Sequence, residues 1–202
     1  MQFKNQEDTS NKPYLTYDQM NTLVAVQKLW IRMGVWNRSY IRALIYDTPN
    51  IKSSKKGMLS LPAEVGSMSS IFFGTENGKT LENLSLQFNE TMMEVIEAMK
   101  YGDLILTNTK VIEWYHIADE IATFLAKINI YWDKNQWQYL LYQYIKYKIE
   151  EVNAIVTDNT DAEINLYNLT ENINFLMSNY FARGVLFANT GLEILGKGKG
   201  KC

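Results

Sequence analysis

The sequence predicts an all-α protein, an antiparallel up-down helical bundle with about five long helices and one short one. Apolar residues recur every three or four positions along most of the 202-residue chain, which is the period of a helix with one buried face. The three prolines, Pro13, Pro49 and Pro62, interrupt none of the long periodic segments, and no alternating pattern persists long enough to predict a strand. The connections are short, so consecutive helices are expected to pack antiparallel.

The first two predicted helices lie on either side of the second proline. An apolar stripe predicts the first helix over residues 17–47, and it ends there because a residue that precedes proline disfavours helical backbone angles. We expect residues 51–60 to form a polar connection. Ser60 is then placed to cap a short helix over residues 61–73, with Pro62 in the first turn, where its missing N–H is tolerated.

The remaining four helices are separated by short segments that are polar or contain glycine. A turn is predicted over residues 74–78, between two glycines. The helix after it is amphipathic, with glutamates on one face and apolar side chains on the other. The four predicted ranges are 80–100, 103–127, 134–156 and 161–187. This pattern predicts a single domain over residues 17–187, a polar arm over 1–16 and a flexible Gly/Lys tail over 188–202.

Composition narrows the classes of protein to which the chain can belong. A hydrophobic content of 47 % with 13 % aromatic residues is typical of a packed globular domain. The net charge of −2 predicts no nucleic-acid partner, and the charges that interrupt every apolar run predict no membrane span. The first ten residues are polar and lack the apolar centre of a secretion signal, so we expect a cytoplasmic protein.

A single histidine, His116, and a single cysteine, Cys202, restrict the cofactors and metals that the chain can hold. Glu113 and His116 have the Glu-x-x-His spacing of di-iron bundles, but that site requires two such motifs. Both residues share a polar stripe with Glu120, which favours a solvated face. No glycine-rich phosphate loop precedes a helix. We therefore predict no cofactor and no bound metal, and Glu113, His116 and Glu120 are the ligands to test if a metal is found.

Two charged residues, Arg38 and Asp119, interrupt apolar helical stripes. The stripe of Arg38 includes Ile31 and Val35, so the spacing predicts that the arginine points toward the core, and the same argument applies to Asp119. A buried charge needs a partner, and we expect Arg38 to reach Asp119 or Glu151. The candidate ligand-binding set in the bundle interior is Arg38, Asp119, Tyr144 and Glu151. The alternative is a buried ion pair that only fixes helix register.

The stretches VWNRSYI at residues 35–41 and WYHIADEIATFL at residues 114–125 resemble a family of small helical-bundle proteins from Gram-positive bacteria. Automated labels in that family include acetylglutamate kinase and glycosyltransferase, but this chain lacks the phosphate loops and strands that those activities need. The resemblance covers about residues 17–187 and implies a bacterial protein of a family of unknown function. The residues retained from the family pattern are Trp36, Arg38, Trp114, Asp119, Glu120, Trp132 and Glu151.

The same resemblance implies that this chain departs from its relatives at several polar positions. Relatives carry histidines on the third, fifth and sixth helices, and the matching positions here are Phe88, Tyr144 and Ile173. Acids are expected where the last helix has Asn168 and Asn179. If relatives bind a metal through those histidines, the resemblance implies that this chain has lost it.

Three functions are consistent with these residues. The first is a non-enzymatic bundle that acts through protein contacts or self-association, as a homo-oligomer or with a protein partner. The second is a small polar ligand-binding protein, or an enzyme, that uses the interior cluster of Arg38, Asp119 and Glu151. The third is a ferritin-like metal protein, which the single histidine disfavours. A pocket connected to solvent beside Arg38 would favour the second function over the first.

Overall fold

A computed structural model describes residues 15–190, with the last two described by their backbone alone, and all of its regular structure is helical. It contains six helices: α1 (Tyr17–Ile45), α2 (Ile51–Phe73), α3 (Thr75–Tyr101), α4 (Leu104–Ile128), α5 (Lys134–Val156) and α6 (Thr160–Thr190). No strand occurs within residues 15–190. The predicted all-α bundle is confirmed, with six long helices in place of five long and one short.

The six helices form a closed ring in which each packs against the next and α6 returns to α1. Helices α1, α3 and α5 also contact one another across the centre. These three therefore form the middle of the bundle, and α2, α4 and α6 cover the grooves between them. The groove between α1 and α6 is backed by α5, and this arrangement positions the candidate site described below.

Side-chain caps explain where three of the helices begin. Thr16 accepts a hydrogen bond from the backbone of Gln19, whose side chain bonds back to Thr16, and this capping box starts α1. Asp103 and Asp133 cap α4 and α5 through backbone N–H groups two to three residues into each helix. These starts agree with the sequence prediction to within one residue.

Helix α2 begins ten residues earlier than predicted, so the expected polar connection over residues 51–60 is wrong. The buried residues of this segment are the fully buried Met58 and the small Ser54, and Gly57 is partly buried between them. The hydroxyl oxygens of Ser54 and Ser39 lie 2.8 Å apart. A Cβ on Gly57 would lie 2.5 Å from the Trp36 ring, so glycine allows α1 to approach. Ser60 does not cap a helix, because it lies inside α2 and donates a hydrogen bond to the Gly57 carbonyl oxygen.

The predicted turn over residues 74–78 is also wrong, since a single residue separates α2 from α3. Gly74 has a φ of 83°, which favours glycine. Gly78 lies inside α3, where a Cβ would overlap the Ser70 hydroxyl group, so it marks a close contact between α2 and α3. Helix α6 continues past residue 187 to Thr190. Apart from residues 15, 16 and 188–190, the predicted arm and tail lie outside the described residues.

Candidate functional site

Two buried carboxylates, Glu151 on α5 and Glu163 at the start of α6, form the centre of a charged network. Arg38 on α1 bonds both of them. Its Nη1 lies 3.0 Å from Glu151 Oε1, and its Nη2 lies 2.7 Å from Glu163 Oε1. Arg42, one turn further along α1, also bonds Glu163. The expected contact between Arg38 and Glu151 is confirmed, and the network ties together α1, α5 and α6.

Lys148 is the most deeply buried cation of the network, with 1 % of its surface exposed. Its Nζ donates a hydrogen bond of 2.7 Å to Glu151 Oε2. Burial lowers the pKa of Lys148, while the charge of Glu151 and this hydrogen bond oppose the shift. The arginine and the lysine thus occupy the two oxygens of one carboxylate, and three cations face two carboxylates in a network with an excess charge of about +1.

The position of Arg38 is fixed by aromatic and electrostatic contacts. Its guanidinium carbon lies 4.2 Å from the centre of the Tyr167 ring, a cation–π geometry. The first turn of α6 places Glu163 where the helix dipole favours a negative charge. The arginine side chain is 23 % exposed, because Ile31 and Val35 on its stripe face solvent. The sequence predicts that this stripe points toward the core, but in the structure it lies at the edge of the α1–α6 groove.

A pocket of about 230 Å³ opens in this groove beside the charged network. Its floor is buried and consists of Trp30, Gly34, Lys148, Thr170, Asn174 and Ser178. Its rim is exposed and includes Ile31, Val35, Glu171, Asn172 and Phe175. Tyr167, which stacks on Arg38, forms part of the wall. The groove therefore provides a path from solvent to the lysine of the network.

Asp119 does not belong to the network, so of the two partners expected for Arg38 only Glu151 contacts it. Its Oδ1 accepts hydrogen bonds of 2.7 Å from Gln138 Nε2 and from the Tyr142 hydroxyl group. Asp119 is partly exposed at the contact between α4 and α5. The apolar stripe around it places the carboxylate at a helix–helix boundary, where neutral donors satisfy it.

Tyr144 is buried, as predicted, but it contacts a different part of the interior. Its hydroxyl oxygen accepts a hydrogen bond of 2.7 Å from Asn37 Nδ2. Burial raises the pKa of Tyr144 above its usual range, the bond from Asn37 opposes the shift, and the charge of Glu151 adds to it. Of the four predicted ligand-binding residues, the structure therefore joins Arg38 and Glu151 directly. Tyr144 touches the network only through its ring, whose centre lies 5.9 Å from Lys148 Nζ, and Asp119 lies apart.

Sequence reasoning missed Lys148 and Glu163, although both carry a recognisable signal. Lys148 lies three residues before Glu151 and four after Tyr144, which places it on the same inward face of α5. Glu163 lies four residues before Tyr167 and seven before the buried Thr170. A glutamate in the first turn of a helix usually faces solvent and interacts favourably with the helix dipole. Only the packing of α6 on α1 shows that Glu163 bonds Arg38 and Arg42.

The three residues named for a metal lie on an exposed face. Glu113, His116 and Glu120 line an open depression between α3 and α4, and Lys110 bonds Glu113 and Glu94 there. No group of three or more His, Cys, Asp or Glu side chains that could hold a metal ion is found within residues 15–190. The absence of a bound metal stays a prediction.

The positions where the family resemblance implies histidines are filled by apolar and aromatic side chains. The rings of Phe88 and Tyr144 lie 6.0 Å apart, and the Trp114 ring lies 5.3 Å from Phe88. Ile173 is also buried. These aromatic contacts pack α3, α4 and α5 together at the centre of the bundle.

Comparisons of the chain with models of known protein families, with curated proteins and with solved structures find no match. None of the helices described here combines the length and the apolar character needed to cross a membrane.

Proposed function

We propose that this protein binds a small organic carboxylate in the α1–α6 pocket. The observation that carries the proposal is the buried Lys148 side chain in the pocket lining. Its ammonium group has three N–H donors. Glu151 accepts one of them and the Tyr144 ring centre lies 5.9 Å from Nζ, so at least one N–H has no hydrogen-bond acceptor among residues 15–188. A ligand carboxylate would accept the remaining bonds in a site where charged hydrogen bonds are strong.

The charges and the walls of the pocket support the same ligand class. The network behind the floor has one cation more than its carboxylates. Glu171 on the rim is exposed, so solvent screens its charge, and a ligand with a single negative charge at the floor would balance the network. Trp30, Ile31, Val35 and Phe175 offer apolar surface to the body of the ligand. We propose binding alone, because these groups would recognise a ligand. A catalytic role of the interior cluster stays an alternative hypothesis.

Titration calorimetry with phenylacetate and phenylacetamide tests this proposal. The two probes have the same shape, and only phenylacetate is charged. We expect phenylacetate to bind at least about tenfold more tightly, because an ionic hydrogen bond to a buried ammonium group contributes more than a neutral one. Equal affinities, or no binding of either probe, would contradict the proposal.

Variants distinguish the pocket from the rest of the surface. Lys148→Met should abolish the preference for phenylacetate, whereas Lys146→Met, at an exposed position on the same helix, should leave it intact. Lys148→Met also removes an ion pair, so Val35→Trp provides an independent check. Val35 is 53 % exposed at the rim, and a tryptophan there should block the pocket without unfolding the bundle.

Self-association is a second candidate function, and exposed apolar side chains on α1 and α6 favour it. Met20, Val24, Ile31 and Val35 on α1, and Leu169, Phe175 and Leu176 on α6, are each at least 42 % exposed. Contiguous apolar surface of this kind is typical of a protein contact. We infer that a second copy of the chain covers it as a homo-oligomer. Ile31, Val35 and Phe175 belong to this surface and to the pocket rim, so binding and self-association would be linked.

Sedimentation velocity over a range of protein concentrations tests self-association. The wild type should form dimers, and the double variant Val24→Lys/Leu176→Lys should remain monomeric because it introduces two charges into the contact. Ile105→Lys, at an exposed apolar residue at the start of α4, is the matched control and should still dimerise. A monomeric wild type at all concentrations would refute this function. A cytoplasmic location and the Gram-positive family remain predictions.

A further inference from the structure

A second, interior cavity lies at the centre of the bundle and is distinct from the carboxylate pocket. Its volume is about 80 Å³, and residues of all six helices line it. Most of the lining is apolar, and it contains no Asp, Glu, Lys, Arg or His side chain. Trp30 and Asn174 line both spaces, so they form the partition between the interior cavity and the α1–α6 pocket.

Two buried polar atoms in the lining have no hydrogen-bond partner. Asn37 Oδ1 accepts no hydrogen bond, although Asn37 is only 3 % exposed, and Trp137 Nε1 donates none, although Trp137 is 1 % exposed. Leaving a buried polar group unpaired costs roughly 1–3 kcal/mol. An acceptor and a donor on two residues of the cavity lining are therefore left unpaired by the protein itself.

Two further carboxamides add to this unmet capacity. Asn89 and Asn174 line the cavity and are each 6 % exposed, and no hydrogen bond of either side chain is present among residues 15–188. Ser85 also contributes to the wall. Buried polar groups in folded proteins are nearly always paired. Two of the six buried side-chain atoms without a partner among the described residues belong to this lining, beside two carboxamides with no protein hydrogen bond, so the lining points to an occupant with matching groups.

We propose that the interior cavity binds a small uncharged molecule that has an apolar body and one hydroxyl or carboxamide group. Such a group supplies both a donor for Asn37 Oδ1 and an acceptor for Trp137 Nε1. A charged molecule is disfavoured because the lining offers no counter-charge. The volume corresponds to a molecule of about three or four non-hydrogen atoms, since a cavity of roughly 150 Å³ holds benzene, which has six.

Two methionines let the cavity adapt to its occupant and also report on it. Met33 and Met177 line the space, and unbranched thioether side chains adjust to irregular shapes. Their ¹³C-labelled methyl groups give NMR signals that shift when a molecule enters. Met20 and Met68 lie outside the lining, so their methyl signals serve as internal controls.

Acetamide and acetate, each with four non-hydrogen atoms, are the probes that test the inference. We expect saturable shifts of the Met33 and Met177 signals with acetamide, and about tenfold weaker binding of acetate, because its charge would be buried without a partner. Shifts without saturation, or equal binding of both probes, would overturn the proposal. The preference is opposite to that of the carboxylate pocket.

Asn89→Leu is the decisive variant. It replaces a carboxamide that has no protein hydrogen bond with an apolar side chain of similar size, which should not destabilise the fold. Because the leucine makes this part of the lining apolar, it should abolish the response to acetamide. Asn83→Leu, at an exposed position of the same helix, should leave the response unchanged. Val35→Trp, which blocks the carboxylate pocket from its exposed rim, should also leave it unchanged, so failure at one site can be told from failure at the other. A response that survives in Asn89→Leu would overturn the inference.

Discussion

Lys148 and Glu151, one turn apart on α5, form an ion pair of 2.7 Å in which both side chains are at most 1 % exposed. Both are among the largest fully buried side chains of the described residues. Arg38 reaches the other oxygen of the same carboxylate. The pair thus links the pocket floor to the contacts that hold α1 and α6 against α5, and removing either member leaves a buried charge partly unpaired.

Lys148→Met should lower the free energy of unfolding by about 3–5 kcal/mol, the typical cost of breaking a buried pair. The double variant Lys148→Met/Glu151→Leu should lose less free energy of unfolding than the sum of the two single losses, because neither residue of the pair is then left without the other. Urea unfolding of the four proteins measures this coupling. Lys146→Met should change stability by less than about 0.5 kcal/mol. Strict additivity would show that the two charges are not energetically coupled.

Arg38→Leu and Asp119→Ala should have independent effects. The two residues share no hydrogen-bond partner, because Arg38 bonds glutamates and Asp119 bonds Gln138 and Tyr142. Their losses should therefore add to within about 0.5 kcal/mol. Combining Arg38→Leu with Glu151→Leu should instead give a smaller loss than the sum. Chemical unfolding of both double variants separates the observed network from the predicted Arg38–Asp119 pair.

Tyr40 should make the protein less stable in alkaline solution. Burial raises the pKa of Tyr40 from 10.0 to about 12, with a smaller contribution from the charge of Glu97. A raised folded-state pKa means that this stabilisation is fully present below pH 10 and is lost as the pH rises toward 12. Tyr40→Phe should therefore show a shallower decline over that window.

The alkaline measurement needs a control because other groups titrate nearby. The lowered pKa of Lys148 acts in the opposite direction, since stability rises as the pH approaches the lysine's ordinary value of 10.5. Comparison of Tyr40→Phe with the wild type at each pH removes that contribution. Tyr17→Phe, at a residue that is 81 % exposed on the same helix, should follow the wild-type curve. Identical curves for all three proteins would refute the assignment to Tyr40.

Gly184→Ala should destabilise the bundle even though alanine favours helices by about 1 kcal/mol over glycine. A Cβ at residue 184 would overlap the Trp132 indole nitrogen, which donates a hydrogen bond of 3.1 Å to the Tyr180 carbonyl oxygen. Overpacking of this kind costs about 1–3 kcal/mol. Gly34→Ala is the comparison, because its nearest neighbour, Asn174 Nδ2, lies at 3.2 Å on a side chain that can move. A thermal melt should show the larger loss for Gly184→Ala.

The fold class could be predicted from the sequence because helical periodicity is a local property. Each apolar stripe identifies a helix and its buried side without reference to any other helix, and short connections imply antiparallel neighbours. The prediction was wrong at the start of α2, where small and polar residues pack against a neighbouring helix. Ser54 and Gly57 face α1 because they are small, so the first ten residues of α2 resembled a polar connection.

The candidate site could be predicted only in part, for a geometric reason. The local pattern around Arg38 and Glu151 indicates that both point inward, and their pairing was among the two alternatives considered. The choice between Glu151 and Asp119, and the addition of Lys148 and Glu163, depends on how α1, α5 and α6 are rotated about their axes. A shift of one residue along a helix turns a side chain by about 100°, and no local pattern determines that rotation. The packing of the whole ring decides which charges meet and where a pocket stays open.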